Sequence, residues 1–253
     1  MNDEKDLIVK ETFNLAIKNH QENKIDIAQE LYNQVLKINP GHTQALNNLA
    51  VIFTNLKEYQ KAKSCYEKAI EYNSNYTNAH FNLGNLFKKL GENQKAKSCY
   101  EKAIEINPNY TDAHNNLGLV FVELRDYKKA EECYEKVIEI DPNHLGALNN
   151  LGTIFDELGE NQKAKSCFEK AIEINPNHVD SYNNLGMIFK KLGENQKAKS
   201  CYEKAIEIDP LNKKNQVAYG RILLILNDKL KGYEYIKKGQ GVIKFTPSYY
   251  KII

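Results

Sequence analysis

Five cysteines and six histidines give this 253-residue chain its most reactive side chains, and the chemistry they suggest is redox exchange, nucleophilic attack or zinc binding. Their spacing argues against all three. Cys65, Cys99, Cys133, Cys167 and Cys201 fall 34 residues apart, one to each turn of a regular pattern. Zinc sites take Cys or His pairs at close local spacing, and the chain has none. Equivalent positions in stacked units lie about one helix-packing distance apart, ~8–10 Å, beyond the ~7 Å over which two Cα atoms can be bridged by a disulfide. The cysteines therefore read as small packing residues copied by duplication. His80 and His114 share one slot of the pattern, and His42, His144 and His178 share another that also holds Tyr76 and Tyr110, so packing and loop roles are expected of them. No Gly-rich phosphate loop, nucleophile elbow or paired-carboxylate constellation interrupts the pattern. No catalytic residue, metal or cofactor is expected.

The polar residues that do stand out are asparagines. Asn48, Asn82, Asn116, Asn150 and Asn184 recur every 34 residues, Asn47, Asn115, Asn149 and Asn183 stand one place earlier, and Asn85 lies close by. A carboxamide donates and accepts hydrogen bonds at once, so a column of them suits holding the main chain of an extended peptide whatever its side chains. The competing reading is a set of solvated residues amplified by duplication. Further along the same segments come Lys88 and Lys89, then Glu123, then Asp156 and Glu157, then Lys190 and Lys191. That basic, acidic, basic order would set the specificity of a groove, unless it is a run of solvated helix ends.

These residues must be placed by the element that repeats. Pro40, Ser74 in a proline slot, Pro108, Pro142, Pro176 and Pro210 are spaced by 34 residues with no insertion or deletion. A fixed period of this size marks a solenoid of stacked supersecondary units, none of which can bury its apolar face alone. Within a unit the apolar residues form two blocks at helical spacing, His80, Leu83, Gly84 and Phe87, then Ala96, Tyr100, Ala103 and Ile104. Each unit is therefore two helices, A and B. Gly91 lies between the blocks, where a tight turn needs unusual backbone angles, and Asn107-Pro108 ends the second helix. Small residues at Gly84, Ala96 and Ala103 let the helices approach, and Phe87 and Tyr100 fill the space beside them.

With units at 9–42, 43–76, 77–110, 111–144, 145–178 and 179–212, the chain resembles the tetratricopeptide repeat (TPR) family. The third unit carries the family signature as His80, Leu83, Gly84, Phe87, Ala96, Tyr100, Ala103 and Pro108; the sixth carries it as Tyr182, Leu185, Gly186, Phe189, Ala198, Tyr202, Ala205 and Pro210. Departures are mild: Ala50 replaces a helix A glycine, Val137 a helix B alanine, and the first unit lacks the helix A aromatic. The resemblance implies an all-α fold, a right-handed superhelix or α-solenoid of antiparallel helix pairs whose A helices line a concave groove. It also implies a protein or peptide partner. In the repeats of O-GlcNAc transferase, which this arm resembles, an asparagine at the matching position binds the backbone of an extended peptide. The carboxylate clamp of chaperone-binding members is not expected, because its lysine-asparagine slots hold Phe13 and Ile17, Asn47 and Val51, or Phe81 and Asn85. Two functions follow: a non-catalytic interaction scaffold, or the substrate-recruiting arm of a larger modifying enzyme such as a glycosyltransferase.

Composition agrees with a soluble, cytoplasmic protein. Apolar residues make up 42%, charged residues 27%, and the formal net charge is +2, which suggests neither a nucleic-acid binder nor a polyacidic tail. Residues 1–8 form an acidic lead-in without a signal-peptide core, and no run approaches the ~20 apolar residues of a membrane span. Residues 213–239 read as a degenerate seventh unit, with Gly232 and Gly239 in the alanine slots and Ile236 in the aromatic slot. An apolar tail, 240–253, follows. Its Val242, Ile243 and Phe245 are expected to fold back on the last helices, or to dock on a second subunit as a homodimer or on a downstream domain.

Overall fold

The computed structural model describes residues 2–240, and all the regular structure among them is helical. The helices are α1 (Asn2–Gln21), α2 (Ile25–Ile38), α3 (Thr43–Asn55), α4 (Tyr59–Tyr72), α5 (Thr77–Lys89), α6 (Asn93–Ile106) and α7 (Thr111–Glu123). They continue as α8 (Tyr127–Ile140), α9 (Leu145–Glu157), α10 (Asn161–Ile174), α11 (Val179–Lys191), α12 (Asn195–Ile208), α13 (Lys213–Ile225) and α14 (Lys229–Gln240). Odd-numbered helices are the A helices and even-numbered ones the B helices. The expected all-α solenoid of helix pairs is therefore the fold. Helix α1 runs through the acidic lead-in, so the first A helix is about two turns longer than the others. Val242, Ile243 and Phe245 lie outside the described residues.

The chain divides into two compact units, residues 1–133 and 134–253, with the boundary inside α8. In the first, each B helix packs on its own A helix and on the next one, and neighbouring A helices touch directly, α3 with α5 and α5 with α7. The second repeats this arrangement, with α9 against α11. Fully buried alanines and rings make the seams: Ala96, Tyr100 and Ala103 on α6, and Ala164, Phe168 and Ala171 on α10.

Turns follow from local chemistry. Within repeats, Gly91, Gly159 and Gly193 take φ near +76°, a region L-residues enter at a cost of ~1–2 kcal/mol. Lys57 and Arg125 occupy the same left-handed turn with side chains, at φ 62° and 59°. Between repeats, the side chains of Asn39, Asn73, Asn107, Asp141 and Asn175 each accept a hydrogen bond from the backbone N–H two residues on, closing an Asx turn. The histidines serve the same turns. His42 and His144 cap α3 and α9 through Nδ1, which accepts the N–H of Ala45 and of Ala147. His80 and His114 donate from Nε2 to the carbonyls of Ser74 and Pro108, 2.9 Å in each case.

One sequence feature of the B helices is plain once they are aligned. Helices α6 and α12 are the same fourteen residues, NQKAKSCYEKAIEI, and α10 differs only by Phe168.

Candidate functional site

The A-helix face carries every residue singled out as a peptide contact, and several of them bond to side chains of the neighbouring repeat. Asn82 donates from Nδ2 to Asn47 Oδ1 across the α3–α5 junction at 2.9 Å. Asn184 does the same to Asn149 across the α9–α11 junction at 3.0 Å. Where the acceptor slot holds Phe81, the rung shifts one turn along the helix: Asn116 donates to Asn85 Oδ1 at 2.9 Å, and that oxygen also takes the Tyr100 hydroxyl at 2.7 Å. Asn48 likewise meets Tyr32, because Phe13 fills the acceptor slot of the first repeat. The column is thus a ladder of carboxamides that stitches neighbouring repeats. Asn47 is 5% exposed, so it belongs to the packed interior; Asn48, Asn82, Asn85, Asn116, Asn150 and Asn184 are half-buried and reach the surface. Asn82, Asn116 and Asn184 each bond across a repeat junction, so they hold neighbouring repeats together as well as reach the surface.

At the last junction the ladder ends differently. Asn183 donates to Asn215 at 2.7 Å, and Asn215, in a slot that Ala45, Ala79, Ala113 and Ala147 occupy elsewhere, is 2% exposed.

The charged residues further along the A helices also pair across junctions. Lys191 Nζ lies 2.6 Å from Asp156 Oδ1, whose side chain is 7% exposed. Burial lowers the ammonium pKa of Lys88 from its ordinary value, and the facing carboxylate of Glu123 works in the opposite direction. Lys89 sits over the ring of Tyr59, 5.5 Å from its centroid. Glu157 and Lys190 are exposed, as are the outer parts of Glu123, Lys89 and Lys191. Most of the basic, acidic, basic order is therefore spent between adjacent repeats.

The cysteines behave as packing groups. Burial pushes Cys99, Cys167 and Cys201 up to about 11 and Cys133 to about 12. At neutral pH these thiols are protonated and weak as nucleophiles or ligands. Among the described residues no group of His, Cys, Asp and Glu side chains has the geometry to hold a metal ion, and no helix is long and apolar enough to cross a membrane.

Comparison with known proteins accords with this architecture. The sequence profile of the tetratricopeptide repeat matches residues 43–76, 77–110 and 179–212, and a second profile of the same description matches 109–177. Together they span more than half of the chain. No curated protein matches it. Among solved structures, MamA is 28% identical with a TM-score of 0.60, over 64% of this chain and 94% of that one. YrrB, described as a TPR protein with an unusual peptide-binding site, is 24% identical with a TM-score of 0.63, over 78% and 97%. A tetratricopeptide repeat protein from Parabacteroides merdae is 20% identical with a TM-score of 0.69, over 93% of both chains. In all, 543 solved chains match, so the likeness speaks for the architecture and leaves the ligand to the residues of this chain.

Proposed function

The chain belongs to the tetratricopeptide repeat family, and on that footing we propose that it is a non-catalytic scaffold whose A-helix face holds an extended segment of a protein partner. Proteins of this family bind protein or peptide partners. What supports the finer reading is the state of the amide ladder. A carboxamide offers two N–H donors and two acceptor lone pairs, and the rung from Asn82 to Asn47 uses one donor of Asn82. The unused groups of Asn82 are held in a fixed direction by that bond. Fixing a polar group before the ligand arrives lowers the ordering cost of binding. A peptide main chain, alternating N–H and C=O, is the ligand that matches a row of such amides. The exposed ends of Lys89, Glu123, Glu157, Lys190 and Lys191 would then read the partner's side chains.

The experiment is to select peptides from a random library against the whole chain, then measure Kd by calorimetry for wild type, Asn82→Ala, Asn116→Ala and the double variant. Each loss is expected to weaken binding about 2- to 10-fold, from ~0.5–1.5 kcal/mol for each hydrogen bond. Thermal melting and circular dichroism are run beside it, since both side chains also cross junctions. Asn47→Ala separates the two roles: it removes the rung and leaves Asn82 in place, so it should lower affinity less than Asn82→Ala. A folded double variant with wild-type affinity overturns the reading.

A further inference from the structure

Four histidines that serve the turns between repeats are bound in ways that fix their tautomers. A main-chain N–H can only donate, so Nδ1 of His42, 3.2 Å from the nitrogen of Ala45, and Nδ1 of His144, 3.0 Å from that of Ala147, must be bare. A carbonyl can only accept, so Nε2 of His80 and of His114 must carry the proton that meets the carbonyls of Ser74 and Pro108. The last repeat makes both bonds with groups that do not titrate. Asn212 fills the slot of His42 and caps α13 by accepting from the N–H groups of Lys214 and Asn215. Gln216 fills the slot of His80 and donates from Nε2 to the carbonyl of Pro210 at 2.7 Å. One slot thus calls for an acceptor and the other for a donor.

A second proton on the ring acts oppositely in the two slots. On His42 or His144 it occupies Nδ1, removes the acceptor that caps the helix, and sets a cation against the positive end of the helix dipole. On His80 or His114 it leaves the Nε2–H in place and makes it a charged, stronger donor. His178 has no such fixed sign, because its Nδ1 meets Ser181 Oγ at 2.7 Å and a hydroxyl both donates and accepts.

The surroundings of the two caps differ. Phe13 of α1 stacks on His42 with ring centroids 4.5 Å apart, and Tyr72 of α4 leans on the adjoining Gly41. Neutral Asn39 closes the turn, and the exposed Lys37 at the end of α2 is the cation closest in the chain. Tyr76, the next occupant of the slot, has its phenol pushed up by burial and stays neutral. Burial lowers the His42 imidazole from its ordinary value. His144 has Asp141 in the place of Asn39 and His178 as the next occupant of its slot. The Asp141 carboxylate favours a charged ring, so the stronger response belongs to His42.

We propose that these turns respond to pH as a set: acid uncaps α3 and α9 and loosens their first turns, while the turns that lead into α5 and α7 stay closed. An uncapped ring takes up the proton more readily than a capped one, so the cap is intact above pH ~6.5 and is lost as the pH falls below that value. Asn47 and Asn149, which accept the rungs from Asn82 and Asn184, lie on these same two helices, just over one turn past the cap. Acid therefore acts on the helices that hold the two regular rungs.

Amide exchange of the full chain resolved by NMR tests this, taken as protection factors at about pH 5 and about pH 7.5, either side of the ordinary histidine value of ~6.5. Ala45 and Ala147 are expected to lose protection at the lower pH by about 5-fold, the factor carried by one helix cap, with Ala45 losing more. Ala79 and Ala113, at the same place on α5 and α7, are expected to keep theirs. His42→Asn, copying Asn212, should leave Ala45 equally protected at both pH values, and His42→Ala should leave it weakly protected at both. His80→Gln, copying Gln216, should leave the pattern unchanged. Imidazole nitrogen shifts report the tautomers directly. The same change at all four alanines, a loss at Ala45 that persists in folded His42→Asn, or a proton on Nδ1 of His42 at the higher pH overturns the proposal.

Discussion

The pair α5/α6 and the pair α13/α14 solve one packing problem with opposite materials. In α5/α6 a Cβ placed on Gly84 would meet the Tyr100 ring at 2.7 Å, so the small residue makes room for a side chain. In α13/α14 the ring is replaced by Ile236, and a Cβ on Gly220 would meet the Gly232 carbonyl oxygen at 2.7 Å and the Ile236 nitrogen at 2.9 Å. A Cβ on Gly239 would likewise meet the Lys213 carbonyl oxygen at 2.6 Å. There the small residues let main chain approach main chain. Aromatic rings hold the interior helices apart; three glycines bring the last two together. Smallness is a preference where a ring can tilt away and a requirement where the neighbour is backbone. The second repeat illustrates the tolerance, since Ala50 fills the Gly84 slot at 0% exposure in the pair that carries Tyr66.

The sharpest way to break this comparison is to add the same methyl group to both pairs. Gly220→Ala should destabilise α13/α14 by about 2 kcal/mol, within the ~1–3 kcal/mol range of overpacking, read as faster amide exchange confined to those helices. Tyr100→Phe keeps the ring and removes its hydroxyl, which donates to Asn85; a loss of ~0.5–1.5 kcal/mol by denaturant unfolding is expected, and a smaller loss would mean that the ring alone matters, as in the repeat that has Phe168. Lys57→Gly carries the comparison from the seams to the turns. Relief of the left-handed strain, ~1–2 kcal/mol, is offset by the added freedom of the unfolded chain, ~0.4–1 kcal/mol, so a gain of ~0.5 kcal/mol in stability is expected. Gly84→Ala should show the least effect, because the ~1 kcal/mol helix preference of alanine over glycine offsets the displacement of a movable ring. If Gly84→Ala costs as much as Gly220→Ala, the distinction between ring and backbone fails.

Much of this architecture is legible in the amino-acid order because its causes are local. The helix pairs follow from apolar spacing, the turn at Gly91 from its tolerance of positive φ, and the quiet cysteines from their recurrence at a packing slot. The state of the A-helix face is not local. Asn82 and Asn47, Asn184 and Asn149, and Lys191 and Asp156 are each 35 residues apart, one more than the repeat, as are Lys88 and Glu123. A side chain on one A helix therefore meets the following slot of its neighbour. Reading columns at an offset of 34 aligns equivalent residues and hides their partners. An offset of 35 would have paired the amides and the opposite charges directly, and Phe81 would have marked the rung that shifts to Asn85.

The identity of α6 and α12 has a consequence for how such a chain changes over generations. With B helices this alike, recombination between copies of the gene can join one repeat to another in phase, and chain length then varies in steps of 34 residues. Loss of residues 77–110 would place Asn116 where Asn82 now stands, 35 residues after Asn47 once the remaining chain is counted, and would restore the regular rung that Phe81 interrupts. The scaffold can thus shed reach while that new junction inherits a working hydrogen bond.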